Sequence, residues 1–404
     1  MPDLFVGRQP IFDRNLEVIG YELLYRSIQT GQANVTDGDQ ATTQVILNTF
    51  SQLGLESLVG GQKKAFINAT RNFLVGKYPI PFPPTSVVLE VLEDIQVDQE
   101  LIDAITALAK QGFQIALDDV TSIEQIAHLW SLAHIIKIDL LGTARDKLLD
   151  IVARLRPYHQ RIKLLAEKVE TQEELEFCRR AGFDYFQGYF LCKPSVIKGK
   201  RMDSTRLVLM RTLAQIQDPK ADFRSLGNLV AQDVTLSYKV LKLVNSSYYA
   251  LPKTITAIDQ AVALIGMNQL RGWLTLLLMA SIDNKPHELT TIAMSRAKMC
   301  ELLARSLHQG QTESFFLVGL FSVLDAMMDM PMQDALSNLP LSDEVMAGLL
   351  DHKGLTGDVL LMTLSYERGQ WDDLLKAKVA PDVIQKNYLE AIRWTTEAAK
   401  SLAN

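Results

Sequence analysis

Cysteine is scarce in this chain: three in 404 residues, Cys178, Cys192 and Cys300, far apart and with no C-x-x-C pair. That spacing excludes a zinc ribbon and a disulfide framework, and it fits reduced, buried thiols. A basic excess is lacking too. Lys and Arg number 41 against 47 Asp and Glu, a net charge of −6. A non-specific nucleic-acid coat needs a basic footprint, so no nucleic-acid polymer is expected as a partner, although one small phosphate pocket stays open. No apolar run reaches the roughly 20 residues a bilayer demands. The greasiest, 273–282, is read as a buried helix, and no membrane insertion is expected. Residues 1–10 lack a long apolar core after a basic start, so they do not read as a signal peptide, and a cytoplasmic location is expected. Low-complexity tracts and repeats are absent as well. What is present is an ordinary globular composition, 48% hydrophobic and 22% charged. The length suits two or three domains, or one large barrel plus a smaller unit.

The first half carries short β-branched runs at 18–27, 65–69, 87–91, 114–119, 135–140, 162–169 and 185–191. Helical stretches lie between several of them, at 98–111, 123–132 and 171–181. Thr171 and Glu174 form a capping-box pattern, and Gly182 reads as that helix's stop. Strands alternating with helices imply βαβ units and a parallel sheet buried on both faces. Seven or eight such strands predict a closed TIM-like (β/α) barrel. Residues 7–26 differ: two strands flank the polar turn Asp13-Arg14-Asn15, so the first strand is expected to be antiparallel. A polar, basic segment, 195–204, reads as the join. Beyond it helical periodicity dominates, at 206–216, 226–232, 236–244, 258–264, 270–280, 292–307, 313–328 and 388–402. Met299, Leu303 and Leu307 repeat at helical steps, and Gly310 reads as the stop. The expectation is a barrel domain over 1–197 and an all-helical bundle over 198–404.

Nearly every apolar strand of the first half ends in an acidic or amide group. These are Glu22, Asn68, Glu90, the pair Asp118-Asp119, Lys137 with Asp139, Glu167 and Gln187. Charge buried in strands is costly unless paired or bound to metal. In a parallel barrel the carboxyl ends of all strands converge on one rim, where chemistry is done. A single acidic residue at a strand end usually caps a helix or faces solvent; a series at successive strand ends is harder to dismiss. Hard oxygens converging on one mouth suit Mg²⁺ or Mn²⁺, not zinc. Divalent ions there would activate a water for phosphodiester hydrolysis. Lys137 would orient or deprotonate that water, or offset charge on a phosphoryl oxygen.

The same residues carry a resemblance. The first half resembles the EAL domain, the cyclic-di-GMP phosphodiesterase barrel. The naming tripeptide matches as Glu22-Leu23-Leu24, followed by Arg26. Ala166-Glu167-Lys168-Val169-Glu170-Thr171 is similar to the family's AEGVET run, with Lys168 in place of Gly. Residues 187–194 resemble its QGYxxxKP ending, and 136–139 its KID strand. The resemblance implies Glu22, Asn68, Glu90 and Asp118 as ligands of a first metal and Asp119 as a bridge toward a second. It implies Lys137, with Glu22 and Glu167, as the catalytic set, and Arg26, Leu24 and Gln187 as substrate-binding residues. Glu93 and Glu170 would anchor the loop after the Asp-Asp pair. That loop reads DDFGxGYSSL in the family; here Asp118-Asp119 is followed by Val120-Thr121-Ser122-Ile123-Glu124, without the glycines. In the family the loop helps to order the second metal and the dimer contact, so its loss bears on turnover more than on binding.

The helical half resembles the HDOD domain, a relative of metal-dependent HD phosphohydrolases, on 234–247 and 258–266. Where those enzymes carry His-Asp in a GLLHDIG-like run, residues 319–325 place Ser322 and Val323. His287, His308 and His352 are not followed by Asp, so no metal site is expected there. The order of domains is similar to two-domain EAL/HDOD signalling proteins of the YuxH type. The implied activity is metal-dependent hydrolysis of cyclic-di-GMP to linear pGpG, tuned by a helical domain that binds a protein partner, with a homodimer also within this reading. The alternative is a receptor or scaffold that turns the nucleotide over poorly or not at all. His128 and His134 read as helix and loop residues, Trp273, Trp371 and Trp394 as core or interface anchors, and 351–354 as a helix end with its Gly stop.

Overall fold

The computed structural model describes residues 4–27, 55–60, 63–193, 204–231, 234–245, 266–280, 285–310, 312–337, 339–374 and 379–403, with a few isolated positions between them. The chain divides into two compact units, Met1–Phe190 with Glu367–Trp371, and Leu191–Tyr366 with Asp372–Asn404.

The first unit is a closed eight-stranded barrel with strands in sequence order. They are β1 (Leu4–Phe12), β2 (Val18–Ser27), β3 (Lys64–Ala69), β4 (Val87–Val91), β5 (Gln114–Leu117), β6 (Ile135–Asp139), β7 (Lys163–Glu167) and β8 (Tyr185–Gln187). β1 runs antiparallel to both neighbours, β2 and β8, and the remaining pairings are parallel. The Asp13 carboxylate fixes the β1–β2 turn, accepting the N–H groups of Asn15 and Glu17 at 2.8 and 2.9 Å.

The alternation of a strand's side chains positions the site. Ile11, Phe66, Val88, Ala116, Ile135 and Leu165 pack as one buried cluster. Two residues further along the parallel strands, in the same phase, stand Asn68, Glu90, Asp118, Lys137 and Glu167. An apolar plug therefore lies beneath a polar layer, and the polar layer faces the carboxyl-end rim.

Between strands, Asp98 caps the helix Gln99–Lys110, accepting from the Leu101 N–H at 3.0 Å. The capping box of Thr171 and Glu174 is present on Gln172–Ala181, which Gly182 ends. The helix expected over 123–132 is absent. Its apolar spacing is real, since Ile126 and Leu129 are buried. The backbone closes instead as successive three-residue turns, Ile126 N–H to Ile123 C=O at 3.2 Å and Leu129 N–H to Ile126 C=O at 2.9 Å. The Gln125 side chain competes by accepting the Thr121 N–H at 2.9 Å.

The second unit is helical, with no strand among its described residues. Its centre is the helix His287–Ser306, packed against Glu313–Phe321 and Pro381–Ala403. Gly319 permits the first of these contacts, because a Cβ there would stand 2.4 Å from the Arg296 carbonyl oxygen and 2.6 Å from the Ala297 Cα. Trp273, Trp371 and Trp394 are buried, and the Trp273 and Trp394 rings lie 5.2 Å apart. Three boundaries differ from expectation. The stretch 313–328 is two helices, Glu313–Phe321 and Leu324–Met328, because the Ser322 hydroxyl donates to the Gly319 carbonyl at 2.7 Å and Val323 leaves helical geometry. The helix before Gly310 stops at Ser306, where His308 takes a positive φ of 58°. At 351–354 the left-handed stop is His352, and Gly354 opens the next helix. Residues 195–203 of the join and most of 258–264 lie outside the described residues, and Ser204 opens the helix Ser204–Gln217. No described helix is long and apolar enough to cross a membrane. Cys178 and Cys300 are buried thiols, whereas Cys192 is partly exposed, contrary to expectation.

Candidate active site at the barrel rim

Lys137 is the hub of the polar layer. It projects from β6 with no exposed surface, and its Nζ meets Glu90 at 2.7 Å, Asp118 at 2.8 Å, Glu167 at 3.0 Å and Glu22 at 3.5 Å. Four carboxylates from four strands or strand ends thus face one ammonium. Burial alone would lower the Lys137 pKa, but the four acids outweigh it and hold the group charged, well above the ordinary lysine value. One cation cannot neutralise four acids. Burial, helped by neighbouring carboxylates, raises Glu90 well above the ordinary carboxyl value and Glu167 to about 8.

Gln187 completes the shell. Its side-chain amide donates to the Glu22 carboxylate at 2.6 Å and to the Gln9 side-chain oxygen Oε1 at 2.9 Å. Gly188 holds this end of β8 against the chain after β7: its φ is +149°, and a Cβ would lie 2.0 Å from the Val169 carbonyl oxygen. Asn68 sits beside Glu90 in the β3–β4 register. Leu24 and Arg26 lie on β2; Leu24 is half-buried, and the Arg26 side chain lies outside the described residues. Glu93 and Glu170 are exposed, the latter with its backbone N–H held by the Glu174 carboxylate at 2.7 Å.

Asp119 stands apart from the Lys137 shell. Its backbone takes a left-handed φ of +43°, which bends the chain at the end of β5. Its carboxylate faces Lys168 Nζ at 3.8 Å, and Lys168 also donates to Asp139 at 2.6 Å. Burial would raise Asp139, but the Lys168 hydrogen bond and the Leu141 and Gly142 N–H groups hold it below the usual carboxyl range. The strand-end pattern brought Asp139 into view without assigning it to the site; Gln9 went unremarked. Gln9 has a signal in retrospect, because it pairs directly with Glu22 across β1 and β2.

The layer suits a hard divalent cation in donor type, and Glu90 Oε2, Glu167 Oε2 and Gln187 Oε1 are buried without a hydrogen-bond partner. The acids are drawn onto Lys137. Among the described residues no three His, Cys, Asp or Glu side chains already converge at metal-holding spacing.

In the helical unit Ser322 and Val323 stand at the break between the helices Glu313–Phe321 and Leu324–Met328. The Ser322 hydroxyl accepts from Arg296 at 3.2 Å, so this run contributes packing and hydrogen bonds. His134 sits at the amino end of β6, its Nδ1 accepting the Ile115 N–H at 3.2 Å. His128 is an exposed turn residue.

Fold and rim together define a (β/α) barrel of the EAL class with an acidic, lysine-centred mouth, followed by a helical domain. A family model for the EAL domain matches residues 60–194, and one for the HDOD domain matches residues 203–339. YuxH of Bacillus subtilis strain 168, a protein described as uncharacterized, is 35% identical over 97% of this chain and 98% of its own length. CdgJ of Vibrio cholerae, described as a cyclic di-GMP phosphodiesterase, is 32% identical over 97% of this chain and 92% of its own length. Among solved structures, a standalone EAL protein of Vibrio cholerae in its c-di-GMP-bound form is 22% identical, covering 46% of this chain and 90% of its own, with a TM-score of 0.38. The chain belongs to the two-domain EAL–HDOD family that includes YuxH and CdgJ.

Proposed function

We propose that the protein is a divalent-cation-dependent phosphodiesterase that opens cyclic-di-GMP to linear pGpG, with an EAL barrel over 1–197 and a regulatory HDOD domain over 198–404. The observation that carries this reading is the buried Lys137 at the centre of Glu22, Glu90, Asp118 and Glu167 on the barrel rim. Support also comes from the 32% identity to CdgJ along nearly the whole chain. Hydrolysis adds water to one phosphorus and breaks one ester P–O bond.

Glu22, Asn68, Glu90 and Asp118 would hold the cation, Mg²⁺ or Mn²⁺; when bound it supplies Lewis acidity toward a phosphoryl oxygen. The chain's own groups do the rest. Lys137 presents a permanent, desolvated positive charge where negative charge develops on phosphate, a setting in which such a charge acts strongly. Gln187 fixes the Glu22 carboxylate, and Glu167 is placed to hold or pass a proton. Arg26 and Leu24 belong to the nucleotide-facing edge of β2. A protein partner through the HDOD half and, separately, a homodimer complete the proposal.

A receptor is the second reading, favoured by the loop after Asp119, which reads Val120-Thr121-Ser122-Ile123-Glu124 without glycine. The test is incubation with cyclic-di-GMP and Mg²⁺ or Mn²⁺, with pGpG followed by chromatography beside a binding titration. Product that vanishes in Glu22→Ala is expected. Saturable binding without product establishes the receptor, and neither result leaves only a scaffold.

A further inference from the structure

Two lysines stand at the same rim in opposite circumstances. Lys137 is fully buried among four acids, and buried oxygens of that layer lack hydrogen-bond partners. Lys168 is half exposed and serves two acids, Asp139 at 2.6 Å and Asp119 at 3.8 Å. The charge left over differs accordingly. The Lys137 shell sets four carboxyl groups against one lysine, a surplus of acid open to a divalent ion. The Lys168 group sets two against one, and its cation position is already filled by a side chain tethered to the fold.

The backbone shows that this arrangement is built rather than incidental. Lys168 and Asp119 both adopt left-handed φ values, +55° and +43°. Non-glycine residues rarely do so, and such outliers cluster where surroundings over-determine them. The register explains the placement: Asp139 pairs with Glu167 across β6 and β7, so the next residue, Lys168, turns back over Asp139.

We propose that Lys168 is the rim's built-in second cation, occupying the place between Asp119 and Asp139, so that the barrel takes up one divalent ion rather than two. Lys168 is a positioning residue: it fixes Asp119 away from the Lys137 shell and raises the electrostatic barrier to another cation at that carboxylate. Asp119, implied by resemblance to bridge toward a second metal, here answers to an ammonium. The inference rests on the proposed cation-dependent reading of the Lys137 shell, but its readout is ion uptake, not turnover.

The experiment titrates the full chain calorimetrically with MnCl₂ alone, without nucleotide, for wild type, Lys168→Met, Lys168→Gly and Lys168→Arg. Lys168→Gly suits the left-handed backbone and keeps the test valid where the methionine variant folds poorly. The expected stoichiometry is one Mn²⁺ for wild type and Lys168→Arg, and two for Lys168→Met and Lys168→Gly. The second ion should gain on the order of tenfold or more in affinity once a unit charge about 4 Å away is removed. Two ions in wild type, one ion in both uncharged variants, or no uptake by wild type each overturn the proposal. One and two ions as expected, with no pGpG formed from cyclic-di-GMP, leave it standing and overturn the phosphodiesterase reading alone.

Discussion

The barrel rim and the run around Gly319 in the helical unit treat buried polarity in opposite ways. At the rim one lysine is surrounded by more acid than it can neutralise, and several oxygens remain without hydrogen bonds. Around Gly319 the corresponding elements are closed: Ser322 is hydrogen-bonded on both sides, and the glycine brings two helix backbones together. Unspent charge in a buried layer is the pattern expected of a functional site. Satisfied polarity and close packing mark a framework. One chain thus holds a candidate site in its barrel and, in its helical unit, a run whose polar groups serve packing.

The strongest way to break this contrast is to remove the hub. Lys137→Met leaves four acids facing one another in a buried layer. Uncompensated buried charge of this kind costs about 3–5 kcal/mol. Denaturant unfolding of the barrel should show that loss, and Mg²⁺ or Mn²⁺ should restore part of it by replacing the missing cation. Glu90→Gln in the same measurement should cost far less, since it removes charge from an over-acidic shell. Equal losses in the two variants would show that the layer is a balanced ion-pair network and not a charged site.

The next effect tests the framework. Gly319→Ala forces the helices His287–Ser306 and Glu313–Phe321 apart, because the new methyl would sit 2.4 Å from the Arg296 carbonyl oxygen. Overpacking of this sort costs about 1–3 kcal/mol. Thermal unfolding should report it, while divalent ions leave the loss unchanged. Rescue by a cation would place a metal site where the structure shows packing.

Much of the barrel was legible in the sequence because parallel strands buried on both faces read as continuous apolar runs. The runs at 18–27 and 87–91 coincide with β2 and β4. The rim residues were legible because a polar side chain two positions past a core residue shares its face. The 123–132 segment misled because its apolar spacing serves turns as well as a helix, and the Gln125 side-chain amide favours the turns. The Lys168 pairing was hidden for another reason. It depends on a left-handed backbone and on the Asp139–Glu167 register, neither of which composition or periodicity encodes. The break at Ser322 likewise turns on one hydroxyl competing for a helix carbonyl.

The smallest expected effect repeats the contrast along a single strand. β6 carries Lys137 toward its carboxyl end and is preceded at its amino end by His134. Lys137 is held charged by acids; His134 is held neutral, its pKa lowered by burial and by the nearby Arg161 and Lys64. Its Nδ1 accepts the Ile115 N–H at 3.2 Å, so protonation would remove an acceptor that joins β5 to the approach to β6. The sign follows from linkage. The unfolded chain protonates this imidazole near pH 6.5 and the folded chain only at lower pH, so between those points the unfolded state binds more protons and stability falls as the pH falls. Above pH 6.5 the contribution is complete. In His134→Gln, whose side-chain oxygen still accepts a hydrogen bond but does not titrate, the fall in stability between neutral pH and pH 5 should be shallower than in wild type. Parallel unfolding curves across that range would mean that His134 titrates alike in the folded and unfolded chain and that the contrast between the two ends of β6 does not hold.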